Sequence, residues 1–447
     1  MRIFIAGAGA VGTHLAKLFV DSDHEVIVMD EDEDKLQQVE THLDLMTRRG
    51  SMTSLGDLKD AEVSSADLFI AVPPYRDMSI LACILAKQLG AKTTVARVNT
   101  SEYLTPENYD FFRQLGVDEI IYPEQLAAME AVESIQKVGI RQWYESSDGK
   151  VVLSVIKVRE GAPILNKPFS EIDPEKKKRY NIVAIYRQGD IIIPHGGDML
   201  MHGDLAYFVS THENMPLVLS DAGKVQYEIN NVMIIGGSRI GRLVARILEE
   251  KGKYNVKLIE ADRDKSIKLA NKLENTLVIT GDGRSLELLK DEGISKVQAF
   301  VAVTDNAEVN ILSCQLAKKL GIKKTIAEVE NLDYMPLAEG IGIGTMLNKK
   351  LIAASHIYRY TLNAHVAYVK CLTANNSEML ELVAQPGSKV TKNTIKDLGL
   401  PKEMNVGAIV RNDEVIIASG TTLILPYDKV VMFAMQNCIH KIEKLFV

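Results

Sequence analysis

The sequence predicts an α/β protein: two doubly wound parallel-sheet domains, each followed by a small α+β domain. Three observations predict it. The chain repeats itself at nearly half its 447 residues. The first part of each half alternates continuous apolar runs with segments of helical periodicity, the pattern of a parallel sheet covered on both faces. The second part of each half holds short apolar runs broken by Gly, Pro and Asp, the pattern of a small antiparallel sheet.

The repeat is direct. IFIAGAGAVGTHLAKLF from Ile3 matches VMIIGGSRIGRLVARIL from Val232, so that Gly7 falls on Gly236 and Gly12 on Gly241. Farther on, ADLFIAVPPYRDMSILACILAKQLG matches QAFVAVTDNAEVNILSCQLAKKLG, which sets Cys83 on Cys314 and Arg97 on Glu328. A third pair, NIVAIYRQGDIIIPHGG from Asn181 and NVGAIVRNDEVIIASGT from Asn405, carries Asp204 onto Asp428. A period this long excludes a solenoid and describes a duplicated two-domain module. The expected boundaries are 1–133 and 228–360 for the parallel-sheet domains, 134–227 and 361–447 for the small ones.

Each element has its own warrant. RIFIAG, HEVIVMD, LFIAVP and TTVARV are β-branched runs that suit strands buried on both faces. SILACILAKQLG has helical spacing and ends at Gly90, a helix C-terminus. In the small domains VVLSVIKV, NIVAIYR, DIIIPHG and DLAYFVS read as strands, with one helix-sized segment near Phe169–Lys178. LAAMEAVESIQKV and LIAASHIYRYTL read as helices joining the large domain of each half to the small one.

Composition narrows the function. Apolar residues make up 46% and charged ones 25%, as in folded globular proteins. The formal charge of −7, with both signs interspersed, argues against a nucleic-acid partner, which needs a basic face. No apolar run approaches the roughly 20 residues of a membrane span. The start lacks the features of a signal peptide, so the expected location is the cytoplasm. Cys83, Cys314, Cys371 and Cys438 stand far apart without a C-x-x-C pair, which predicts neither a disulfide framework nor a zinc site. His195, His202 and His212, with Asp198 and Asp204, have no equivalent set in the second half and read as surface residues, so no metal is expected.

The chemical signal is a glycine turn. Gly7-Ala8-Gly9-Ala10-Val11-Gly12 follows a strand and opens a helix, which lets a pyrophosphate approach the free N–H groups of the helix end. Asp30 ends the next strand, where a carboxylate accepts hydrogen bonds from ribose hydroxyls. Its charge would repel a 2′-phosphate, which favours NAD(H) or adenine nucleotides over NADP in the first copy. The second copy has Gly236-Gly237-Ser238-Arg239-Ile240-Gly241 and Glu260. Ser238 stands at the middle motif position, which weakens that site without closing it. Arg97 would reach the crevice from the carboxyl edge of the sheet and could hold a phosphate; Glu328 in its place would repel one, so the two sites should differ. No Tyr-x-x-x-Lys couple or well-placed His or Lys offers hydride-transfer chemistry, so no catalytic residue is assigned. An NAD-dependent oxidoreductase and a cytosolic nucleotide sensor with another partner stay as alternatives.

These motifs, with the GDGRS turn at Gly281–Ser285, the VAVTDNAEVNILSCQLAKKLG segment and the signatures ending at Asp204 and Asp428, resemble the TrkA family of peripheral subunits of Trk potassium uptake systems. The resemblance spans nearly the whole chain and implies two RCK/KTN Rossmann domains, each followed by a TrkA-C domain. It implies a regulator that binds NAD(H), ATP or ADP and gates a membrane potassium-translocating subunit of the TrkH/TrkG kind. It further implies that four chains form a ring of eight RCK units. Two turns depart between copies. Ser51 stands where the second copy has Asp282, and Pro73-Pro74-Tyr75 stands where it has Thr304-Asp305-Asn306. Ser51, Pro73 and Pro74 thus hold binding positions with altered chemistry, and Tyr75 could stack on a ring.

Overall fold

A computed structural model describes residues 1–20, 24–225, 227–358, 360, 366–372 and 377–446. The chain divides into two compact units, one of Met1–Met129 with Leu347–Thr361, the other of Glu130–Met346 with Leu362–Val447.

The first unit is built on a six-stranded sheet. Its elements run β1 (Arg2–Ala6), α1 (Ala10–Val20), β2 (Glu25–Asp30), α2 (Glu33–His42), β3 (Met46–Arg49), α3 (Leu55–Asp60), β4 (Leu68–Ala71), α4 (Arg76–Leu89), β5 (Thr93–Arg97), α5 (Pro106–Gln114), β6 (Glu119–Ile121) and the start of α6 (Pro123–Gln136). The strand order is β3-β2-β1-β4-β5-β6, and every pairing is parallel. Order reverses beside β1, which opens a crevice at the carboxyl ends of β1 and β4. Ile3, Phe4, Ile5, Phe69 and Ile70 are fully buried, as β-branched and aromatic strand residues covered on both faces must be.

The second unit opens with the rest of α6 and then a five-stranded antiparallel sheet. Its elements are β7 (Gln142–Ser146), β8 (Val151–Lys157), α7 (Pro174–Lys177), β9 (Tyr180–Arg187), β10 (Asp190–Ile192), β11 (Leu205–Ser210) and α8 (Met215–Asp221). The strand order is β10-β9-β11-β8-β7. The helix expected near Phe169–Lys178 is only a 3-10 turn at Phe169–Glu171 and the single turn α7: Pro168 and Pro174 leave no room for a longer one.

A second parallel sheet follows, with β12 (Asn231–Ile235), α9 (Arg239–Glu250), β13 (Asn255–Glu260), α10 (Arg263–Ala270), β14 (Thr276–Thr280), α11 (Leu286–Asp291), β15 (Ala299–Ala302), α12 (Ala307–Lys319), β16 (Lys324–Glu328), α13 (Tyr334–Gly340), β17 (Thr345–Leu347) and α14 (Lys349–Tyr358). Its order, β14-β13-β12-β15-β16-β17, reproduces that of the first sheet. The last part comprises β18 (Val366–Leu372), β19 (Ser377–Val383), β20 (Met404–Arg411), β21 (Glu414–Ile417), β22 (Lys429–Met435) and α15 (Ile439–Phe446). Its order, β18-β19-β22-β20-β21, is that of the first small sheet.

Both joining helices form, and each packs on an element from the other half of the sequence. α14, from the second half, packs on α1 in the first unit. The far end of α6 lies in the second unit, where Ser134 shares a 2.7 Å hydrogen bond with Thr345. Arg359 and residues 361–365, where the second joining segment ends, lie outside the described residues.

The two antiparallel sheets of the second unit share a core. Val183, Tyr207 and Val209 pack with Ala408, Val431 and Phe433, the rings of Tyr207 and Phe433 meeting edge-on at 5.3 Å. Contact is close enough that a Cβ on Gly407 would come within 2.6 Å of Val209. Asn181 donates to the carbonyl of Val406 at 3.0 Å, and its repeat partner Asn405 donates back to that of Val183 at 3.4 Å. Each sheet also carries a bidentate pair, Arg187–Asp204 and Arg411–Asp428, in which the buried carboxylate further accepts the N–H of Met201 or Leu425 at 2.7 Å.

Candidate functional site: two glycine-turn clefts

In the first copy, β1 ends at Ala6 and Gly7 turns the chain with φ +114°. Such a backbone suits glycine. The third motif glycine is required for a different reason. A Cβ on Gly12 would sit 1.8 Å from the Gly7 carbonyl oxygen, because α1 starts directly against the turn. Gly9 is the opposite case. A Cβ there would meet nothing within 4 Å, so this position faces open space. Val11 is buried and belongs to the core beneath the turn.

Asp30 ends β2 beside this turn. Its carboxylate accepts the Ala8 N–H at 2.7 Å and the Asp32 N–H at 3.0 Å, which fixes its position over the glycine loop. Gly50 bonds to the Asp30 carbonyl at 3.1 Å, and the Ser51 N–H is held by Asp57 at 2.7 Å. The following turn after β4 places Pro73 inside, Pro74 outside, and leaves the Tyr75 ring 67% exposed. Arg97 ends β5 on the same edge, 3.8 Å from the buried carboxylate of Glu124.

The second copy builds the same frame with other groups. Gly236 has φ +96°, and a Cβ on Gly241 would come within 2.1 Å of the Gly236 carbonyl oxygen. Ser238, which takes the place of Gly9, caps α9: its hydroxyl accepts the Gly241 N–H at 3.2 Å. Gly9 has no side chain with which to cap the corresponding Gly12 N–H in the first copy. Ile240 is buried like Val11. Glu260 accepts the Gly237 N–H at 2.7 Å through Oε2 and the Asp262 N–H at 3.0 Å through Oε1.

These groups line a cavity of about 330 Å³. Of the residues singled out by sequence, Gly236, Ser238, Glu260, Asp282 and Asp305 line it; Gly237, Arg239, Ile240 and Gly241 stand behind it in the turn and helix. Glu328 is buried and outside the lining. Arg284 forks onto Asp282 at 2.8–3.1 Å and holds its carboxyl below the usual range.

Two lining or supporting residues escaped the motif reading. Lys265 lines the cavity, 3.2 Å from Glu260. Asn310 pins the Thr304 turn, accepting the Thr304 N–H at 2.9 Å and donating to the carbonyls of Thr304 and Glu328 at 3.0 Å. The signal for Asn310 is an amide on the buried face of α12; the first copy has Ser79 there, whose hydroxyl donates to the Ala71 carbonyl at 2.8 Å.

Residues 3–123 and 232–349 each match the TrkA-N domain, and residues 153–221 and 379–447 each match the TrkA-C domain. The chain belongs to the TrkA family. The TrkA-family relatives include the Trk system potassium uptake protein TrkA of Vibrio alginolyticus, 32% identical over all of this chain and 98% of that protein. The TrkA homolog of Archaeoglobus fulgidus is also 32% identical, over the full length of both. Among solved structures, the GsuK channel bound to NAD aligns with all of this TrkA-family chain and 78% of its own, with a TM-score of 0.62 at 16% identity. The GsuK RCK domain aligns over 94% of its length with the same score. The fold is therefore that of tandem RCK modules.

Tyr180 and Lys176 both bond Asp221, at 2.8 and 2.7 Å, and the two arginine–aspartate pairs tie strands to turns. Among the described residues no cluster of three His, Cys, Asp or Glu side chains could hold a metal ion, and no helix is long and apolar enough to cross a membrane. Cys83 and Cys314 are fully buried in matching helices, and burial pushes both thiols above the usual range.

Proposed function

We propose that this chain is the nucleotide-binding regulatory subunit of a membrane potassium uptake system, acting from the cytoplasmic face as a homo-oligomer. The observation that carries the reading is the pair of glycine-turn clefts, each with a carboxylate fixed over the turn, on a TrkA-family chain. Gly7, Ala8, Gly9 and the start of α1 would receive a pyrophosphate, Asp30 the adenosine ribose, and Arg97 a phosphate charge. Open space at Gly9 fits a ligand backbone that passes close to the turn. In the second cleft Gly236, Ser238, Glu260, Asp282 and Asp305 would do the same work. NAD(H) and ATP or ADP are the ligands this supports.

A ring of eight RCK units from four chains, docked beneath a TrkH/TrkG-like subunit, is the assembly that family membership and the RCK likeness support. The chain is then a switch rather than an enzyme: a nucleotide shifts gating only by binding one ring state better than another. A differential of a few kcal/mol suffices.

Calorimetric titration with NADH, NAD, ATP and ADP tests the reading, with Asp30→Ala alongside. The variant should lose binding in the first cleft and ligand control of potassium uptake. Unchanged control in Asp30→Ala would sink the assignment of the first cleft as the switch.

A further inference from the structure

The two clefts differ most in charge just beyond the carboxylate that ends the second strand. In the first copy Asp30-Glu31-Asp32-Glu33-Asp34 is an unbroken acidic run before Lys35. In the second, Glu260-Ala261-Asp262-Arg263-Asp264-Lys265 has alanine and arginine in place of Glu31 and Glu33. The lysine shared by both is paired differently. Lys35 lies 3.1 Å from Asp32, out on the first turn of α2. Lys265 lies 3.2 Å from Glu260 Oε2 and lines the cavity.

The two carboxylates differ by one methylene. The longer Glu260 side chain lies against the glycine turn, so close that a Cβ on Gly237 would meet its Oε2 at 2.7 Å. There the carboxylate is buried, accepts two backbone N–H groups and has its charge balanced by Lys265. The adjoining Arg263 is exposed at the start of α10.

In a doubly wound domain this corner meets the adenosine ribose, where an acid selects a free 2′-hydroxyl and a nearby arginine accommodates a 2′-phosphate. A phosphate facing the acidic run of the first copy would be repelled. Beside a balanced carboxylate, Arg263 and Lys265 would attract it. We propose that the second cleft accepts a 2′-phosphorylated adenine dinucleotide of the NADP(H) class, while the first admits only nucleotides with a free 2′-hydroxyl, and that Arg263 and Lys265 determine this specificity. The inference rests on reading both clefts as nucleotide sites.

Titration of the full chain with NAD+ and NADP+ tests it. NADP+ should bind at one site per chain, within about tenfold of the NAD+ affinity there, and should still bind Asp30→Ala. Arg263→Glu combined with Lys265→Met should weaken NADP+ by about a hundredfold or more, and NAD+, which lacks the extra phosphate, by at least about tenfold less. As a check that does not depend on that variant's folding, Glu31→Ala with Glu33→Arg in the first copy should raise NADP+ stoichiometry toward two. NAD+ binding without NADP+ binding overturns the inference, as does NADP+ binding lost in Asp30→Ala but kept in the double variant. Binding of neither dinucleotide overturns the nucleotide reading itself.

Discussion

The first and second Rossmann copies share strand order, glycine turn and carboxylate, yet each copy fills the space around the turn in its own way. The first leaves the middle motif position open at Gly9 and sets prolines and an exposed tyrosine across the crevice. The second places Ser238 at the middle position, pins its crevice turn with Asn310, and adds the Asp282–Arg284 pair and Lys265 to the lining. What stays constant is what the backbone geometry demands. What varies is what the ligand would meet. Duplication has let the frame persist while the two sets of contacts diverged.

The largest expected effect tests whether the copies are equally dependent on their small domains. Asp204→Ala and Asp428→Ala each leave a half-buried guanidinium partner and a turn N–H without their acceptor. Each should lower unfolding stability by about 2–4 kcal/mol, the loss of a charge-assisted fork and of the acceptor for a turn N–H, read from urea denaturation. Equal losses would say that the halves remain equivalent below the clefts; a loss in one alone would break that equivalence.

Gly12→Ala and Gly241→Ala come next. Each Cβ would lie about 2 Å from a carbonyl oxygen, so helix and turn must separate, at about 1–3 kcal/mol. Thermal unfolding should show the loss in both copies. A neutral result in the second would mean that its turn had already relaxed.

Lys324 marks a place where the copies differ below the site. It is buried at the start of β16, donates to the Ile140 carbonyl at 3.2 Å, and faces Arg141 and Lys224, with Glu339 paired to Arg141 at 2.9 Å. Burial, then the neighbouring cations, push its pKa down to about 7. The folded pKa lies below the unfolded one, so folded protein holds fewer protons between them and stability should rise with pH from about 7 toward 10.5. The full penalty is present below 7. Lys324→Met should flatten that slope and add about 1–4 kcal/mol at pH 6. Thr93 stands at this position in the first copy, and its substitution should leave the slope unchanged.

The smallest effect is the most specific. Ser238→Gly removes a helix cap, at a few tenths of a kcal/mol, but frees the Gly241 N–H and the space beside it. Nucleotide affinity in the second cleft should rise several-fold by titration, and Gly9→Ser should lower it in the first.

Much of this was legible in the sequence. Repetition disclosed the duplicated architecture, because parallel strands buried on both faces and an antiparallel small domain leave different apolar patterns. The glycine turn and Asp30 were readable because their demands are local: a positive φ at Gly7, a close carbonyl at Gly12, a carboxylate one strand away. Lys265 and Asn310 were not, since their roles depend on which face of α10 and α12 meets the crevice. The placement of α14 on α1 was invisible for a similar reason; a helix's periodicity says that it has a partner face but not which sheet supplies it. α7 is short because Pro174 falls inside a segment whose composition otherwise allows a longer helix.

The shared core of the two antiparallel sheets has one more consequence. Asn181 and Asn405 return each other's hydrogen bond across it, the reciprocity expected when two identical molecules meet about a twofold axis. Here both partners are on one chain. Tethering keeps them at a high local concentration whatever the abundance of the protein, so the pairing needs no search through solution. It also lifts the demand of self-complementarity: a substitution now alters one side of the seam rather than both at once. A surface that once had to fit its own image was thus free to become lopsided, which is the condition under which two halves of one chain can learn to read different signals.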